Sequence, residues 1–168
     1  VKKLLNEAIK IGGPVYLRLG KKNEPIIKTR KRIGKSDLII SGQTNVIISV
    51  GNIIKVAIDT SKELKKNGIN NSLIDLRHIK PLDDKSLKTI FKKYKKIFII
   101  EEHYVSSGAG SSIIEWAKKK KLDTNKIYTF GADNKFVHSS GNQSSARNQV
   151  GLNYKLLAKK ISKIIKNK

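Results

Sequence analysis

The stretch Asn45-Val46-Ile47-Ile48-Ser49-Val50-Gly51 constrains the fold more than any other part of the chain. Apolar, mostly β-branched residues follow one another without the alternation of a half-exposed strand, and a glycine ends the run. Such a strand needs cover on both faces, which places it inside a parallel sheet. Ile97 to Ile100 repeats the pattern. Around these runs the spacing turns helical. Ile54, Ala57, Ile58 and Leu64 recur at helical intervals between Ile53 and Lys66, and Asn67-Gly68 marks the stop. Ser72 to Leu76 reads as a strand. Asp83 or Asp84 can cap a helix that runs to about Tyr94 with Leu87, Ile90 and Phe91 inward. A Gly- and Ser-rich turn, Ser106 to Ser112, opens a helix through Trp116 to Lys120, followed by a strand at Ile127 to Phe130 and a helix at Tyr154 to Ile165. The alternation predicts an α/β fold: a three-layer, Rossmann-like domain with a mostly parallel sheet and helices on both faces.

The first forty residues do not share this rhythm. Val1 to Ile11 reads as the end of a helix, stopped by Gly12-Gly13-Pro14, and Val15 to Leu19 as a short strand. Gly20 to Ser36 is polar and basic, as in a linker, and Leu38-Ile39-Ile40 before Ser41-Gly42 suggests a small hairpin at its end. The expected division is residues 1–40 as the tail of a preceding domain plus linker, and 41–168 as the domain itself. Methionine is absent even at position 1, so a processed form or a piece of a longer chain is expected.

Charge narrows the partners. Lys and Arg total 36 against 13 acidic residues, a net charge of +23. Such a field attracts nucleic acid, anionic lipid or phosphorylated molecules. The lysines, however, recur in every segment beside many Ile and Asn residues, as biased codon usage would produce. Only Arg18, Arg30, Arg32, Arg77 and Arg147 offer the two-pronged fork that reads phosphates and bases. Nucleic acid is therefore not the favoured partner. With no cysteine, disulfides and thiolate chemistry are excluded. The apolar runs are too short for a bilayer helix and no signal peptide is visible, so a cytoplasmic protein is expected.

In an open parallel sheet, ligands bind beyond the carboxyl ends of the strands. Four segments qualify: Val50 to Asn52, Arg77 to Pro81, Glu101-Glu102-His103 with the glycine turn, and Gly131 to Asp133. The turn Ser107-Gly108-Ala109-Gly110-Ser111-Ser112 could cradle a phosphate at a helix N-terminus. It lacks the third glycine of a dinucleotide fingerprint, no Gly-Lys-Ser/Thr follows, and two carboxylates just upstream would repel an anion. A tight strand-to-helix turn is the better reading. Glu101, Glu102 and His103 could serve acid–base chemistry, yet strand alternation sends the two carboxylates to opposite sides. Polar contacts across an interface, with Lys80 as a cation, are favoured for all three. His78 and His138 are read as ordinary boundary histidines. No complete catalytic set emerges, and no metal site.

The motifs in order resemble the C-terminal part of transketolases. Gly13 to Lys21 resembles the strand that closes their pyrimidine-binding domain, and Asn45 to Gly51 the first strand and turn of their C-terminal domain. Leu73 to Asp83 resembles the strand ending in a Lys/Arg-Pro-Leu/Ile-Asp signature. Glu101-Glu102-His103 with Ser107 to Ser111 resembles the Glu-Glu-His and glycine turn, and Gly131 to Phe136 with Ser140-Gly141 the final loop. Relatives sharing this domain include deoxyxylulose-5-phosphate synthase and the β subunits of 2-oxo acid dehydrogenases. The Glu-Glu-His form leans toward the short C-terminal-section type of transketolase.

The resemblance implies an enzyme that uses thiamine diphosphate and Mg to move a two-carbon ketol unit between sugar phosphates. Cofactor and metal would sit in regions absent from this sequence, with none bound by this piece, which would be inactive alone. The implied partners are the N-terminal and pyrimidine-binding domains of the same enzyme, in a homodimer of pentose phosphate metabolism without membrane contact. A basic residue after the Gly-Pro strand grips the sugar phosphate in several members. It falls on Lys21, where arginine is usual, with Arg18 as the nearby alternative. Two other readings stay open: a basic α/β module binding a phosphorylated metabolite or nucleic acid, and a small enzyme working at Glu101, Glu102 and His103.

Overall fold

A computed structural model of the chain describes residues 2–17, 26–28, 31–33, 35–134, 136–137 and 141–167. Arg18, Lys21, His138 and Ser140 lie outside the described residues. Helix α1 (Lys2–Ile9) leads to six strands in one sheet: β1 (Lys31–Ile33), β2 (Ser36–Ile40), β3 (Asn45–Val50), β4 (Asn71–Asp75), β5 (Lys96–Tyr104) and β6 (Ile127–Ala132). Their spatial order is β1-β2-β4-β3-β5-β6. The four strands β4-β3-β5-β6 are parallel, and the β1–β2 hairpin adds antiparallel to β4. The connecting helices are α2 (Ile54–Lys66), α3 (Asp84–Lys93), α4 (Ala109–Lys119), the short α5 (Gln143–Gln149) and α6 (Tyr154–Lys166).

The unbroken apolar runs follow from two separate cores. Val46 and Ile48 of β3, with Ile97 and Ile99 of β5, face Leu87, Ile90 and Phe91 of α3 and Ile113 and Ala117 of α4. The intervening residues Ile47, Phe98 and Ile100 face the other way, onto Ala57 and Leu64 of α2 and Leu157, Ala158 and Ile161 of α6. Each residue of Val46 to Ser49 and of Ile97 to Ile100 is thus withdrawn from water, and polar alternation there would break one core or the other. Phe98 anchors the second core, stacked on Tyr128 at 5.4 Å and close to Phe130.

Three features depart from the sequence expectations. The hairpin pairs Lys31–Ile33 with Ser36–Leu38, earlier than expected, and β2 is hydrogen-bonded to β4, so the sheet takes in residues before position 41. β1 is short and charged, as edge strands often are to discourage pairing with other chains, and that composition reads as linker. Beside the β2–β4 ladder, the Asp83 carboxylate ties the hairpin to α3. Asp83 caps α3 through the Ser86 amide at 3.2 Å and accepts the Ser86 hydroxyl. It also accepts the Lys35 amide at 2.7 Å and the Ser36 hydroxyl at 2.9 Å. Helix α5, with no buried residue, is the second addition. In the expected strand at Val15 to Leu19, residues 15–17 form no regular structure, and Val15 and Tyr16 are exposed.

Candidate functional site

The order of the strands creates one crevice. From β3 the chain passes through α2 to β4 on one side, then crosses back through α3 to β5 on the other. The carboxyl ends of β3 and β5 are therefore the point where connections diverge, where open α/β sheets place ligands. A cleft of about 550 Å³ occupies that position, lined by Val50, Gly51 and Asn52 on one side and Glu101, Glu102, His103 and Gly108 on the other. Gly51 makes the turn out of β3 with a φ of +76°, a conformation glycine adopts without strain.

Glu101 and Glu102 part as alternation requires. Glu101 is 3% exposed. Its carboxylate accepts the Ala109 amide at 2.7 Å and the Gly110 amide at 2.9 Å, so it sits on the N-terminus of α4. Free amides and the helix dipole make that position a natural anion site, and here the anion is the protein's own. The glycines serve this arrangement: a Cβ on Gly108 would lie 2.3 Å from a carboxylate oxygen of Glu101. The turn that resembles a phosphate loop is filled from within.

Glu102 faces outward and pairs with Arg147 of α5, Nε to Oε1 at 2.6 Å, while the Gln143 amide approaches the same oxygen at 3.5 Å. Arg147 also donates to the Asn52 carbonyl at 3.1 Å, tying α5 to the turn after β3. Lys80, expected to contact these carboxylates across an interface, lies exposed before the cis peptide to Pro81, and within the chain Arg147 is the cation paired with Glu102. Helix α5 carries no periodic apolar signal. Its one mark is Asn142, whose side chain accepts the Ser145 amide at 2.9 Å as the cap. His103 is exposed, its Nδ1 3.0 Å from the Tyr104 carbonyl oxygen.

A second group of carboxylates gathers at the end of β4. Asp37 of β2 stands opposite Asp75 and pairs with Arg77 at 3.1 Å. Burial pushes the Asp75 carboxyl up to about 6, Arg77 pulls it down, and the neighbouring Asp37 adds to the rise. Asp83 behaves in the opposite sense. Burial opposes its charge, but the hydroxyls and amides of Ser86, Ser36 and Lys35 together hold it below the usual carboxylate range. Among the described residues no three His, Asp or Glu side chains converge as metal ligands.

The chain matches the model of the transketolase C-terminal domain over residues 34–152. It is 27% identical to 1-deoxy-D-xylulose-5-phosphate synthase of Dictyoglomus turgidum, covering 98% of this chain and 27% of that enzyme. It is 31% identical to the synthase of Dehalococcoides mccartyi over 80% of this chain and 21% of that one. The chain thus spans about a quarter of the length of these curated relatives. Among solved structures, an inactive β4 tetramer of a split-gene transketolase superposes with a TM-score of 0.78 at 23% identity, covering 95% of this chain and 52% of that one. Transketolase of Campylobacter jejuni gives 0.51 at 14% identity, covering 84% and 20%. On the span of the family match and the sheet that carries it, the chain belongs to the transketolase C-terminal domain family.

Proposed function

We propose that this chain is the C-terminal domain of a transketolase-type thiamine-diphosphate enzyme, moving two-carbon ketol units between sugar phosphates in cytoplasmic pentose phosphate metabolism. Its part is to pack against the N-terminal and pyrimidine-binding domains and to help build a dimer, without turnover of its own. The observation that carries this reading is Glu101. It occupies the amides of α4 that a diphosphate would need, and its charge would repel one. The described residues therefore do not fit the cofactor or its Mg. The N-terminal residues support docking: Leu5, Ile9, Ile11 and Tyr16 expose 47 to 87% of their surface, as a face covered by further domains would. Arg18 and Lys21, which follow in the sequence, are proposed to grip the substrate phosphate.

A second reading, 1-deoxy-D-xylulose-5-phosphate synthase, is favoured by the named relatives. One experiment tests both. The chain is titrated by calorimetry with thiamine diphosphate and Mg, then assayed for ketol transfer and for 1-deoxy-D-xylulose 5-phosphate formation, alone and with the N-terminal regions supplied. The expected result is no heat and no turnover alone, with one activity restored on reconstitution. Cofactor binding by the chain alone would overturn the proposal.

A further inference from the structure

Beside the switch-point cleft, across the Glu102–Arg147 pair, lies a second groove of about 460 Å³. Tyr104, Phe136, Val137, Val150 and Leu152 give it apolar walls. Phe136 is 88% exposed and Val137 45%, so the apolar surface is open to solvent. Arg147 lines the same groove although its side chain is only 13% exposed. A guanidinium carries five N–H donors. Among the described residues two of them meet acceptors, Nε–H on Glu102 and an Nη2–H on the Asn52 carbonyl. Among the described residues the remaining donors meet no acceptor, and Arg147 presents them at the wall of the groove.

We propose that this groove binds a small molecule with an apolar body and one carboxylate. The carboxylate meets the open donors of Arg147 while the body rests on Phe136, Val137 and Leu152. The volume is in the range of small-molecule sites, which are mostly apolar with a few placed polar groups. Two parallel N–H bonds to a carboxylate are the arrangement a planar guanidinium favours. The chain's charge of +23 draws anions toward the groove. A monoanion suits it better than a dianion, because the Glu102 carboxylate stays close by and repulsion grows with ligand charge.

The test is an NMR titration of the 168-residue chain with 3-phenylpropanoate, its neutral amide analogue and inorganic phosphate. The carboxylate is expected to shift amides at 132–137 and 143–152, and the neutral analogue to bind about tenfold more weakly. Arg147→Gln should erase that preference. Glu102→Gln, which releases the guanidinium, should tighten carboxylate binding several-fold, an outcome that a purely structural clasp does not give. Phe136→Ala, on an exposed side chain, should weaken both ligands and keep the charge preference. Equal binding of carboxylate and amide overturns the proposal, as does weakening by Glu102→Gln or no binding of either ligand. Phosphate binding as tight as the carboxylate's would overturn the ligand class.

Discussion

Asp75→Asn should make the protein more stable at neutral and alkaline pH. Asp75 ends β4, beside the Asp37 carboxylate and the Arg77 guanidinium, next to Ser49 in the parallel ladder. Among the described residues the buried Ser49 hydroxyl has no hydrogen-bond partner. Burial is the largest cause of the raised Asp75 pKa, about 6 against an ordinary 3.8. A carboxyl that binds its proton more tightly when folded favours the native state at low pH, and that advantage fades as pH rises from about 4 through about 6. Above that window the folded protein carries the cost of an ionised, partly buried group. Two pH units correspond to roughly 3 kcal/mol, and residual solvent contact reduces this to about 1–2 kcal/mol. Asparagine keeps the shape and removes the charge. Urea denaturation of both forms at pH 4, 6 and 8 measures the effect. The variant should be more stable by about 1–2 kcal/mol at pH 8, with the gap closing toward pH 4. A variant less stable at pH 8, or a difference that does not change with pH, would refute the reasoning.

Asp83→Ala should cost about 2–4 kcal/mol, because it removes a helix cap and the hairpin's anchor together. Hydrogen exchange should show the amides of β2 accelerating more than those of β3. Since the Asp83 pKa is lowered in the folded state, its stabilisation is present above about pH 4 and is lost as pH falls below it. Glu101→Ala leaves two buried amides without an acceptor and should cost about 2–4 kcal/mol in denaturant unfolding. A loss under about 0.5 kcal/mol would mean that water replaces the carboxylate.

The sheet was legible because burial on both faces writes itself into composition. Val46 to Val50 and Ile97 to Ile100 could be placed on parallel strands from their lack of alternation alone, and the helices between them from their apolar spacing. Edge elements carry less of this signal. β1 is three residues of Lys, Arg and Ile, paired on one side only, so nothing in its local pattern distinguishes it from linker. α5 buries no residue and so has no apolar stripe to reveal it. Arg147 was therefore visible in the sequence only as one arginine among few. Its pairing with Glu102 joins residues 45 positions apart, a relation set by how the chain folds back after β6.

Glu101 shows why a local motif can mislead about chemistry while predicting geometry well. A strand end, two small residues and a helix start are what a phosphate loop requires, and the structure supplies all three. What decides the function is the residue that the pleat turns inward. With a carboxylate there, the α4 amides and the helix dipole stabilise an internal charge instead of a ligand, and Gly108 is needed for the carboxylate's approach. The same pleat sends Glu102 outward, where it can hold Arg147 and with it α5 against the domain. Consecutive glutamates thus perform separate tasks: the first closes the anion site of α4, and the second leaves part of an arginine's donor set facing a groove. The α4 amides at which the glycine turn points are occupied, whereas Arg147 of α5 keeps donors that no described residue accepts.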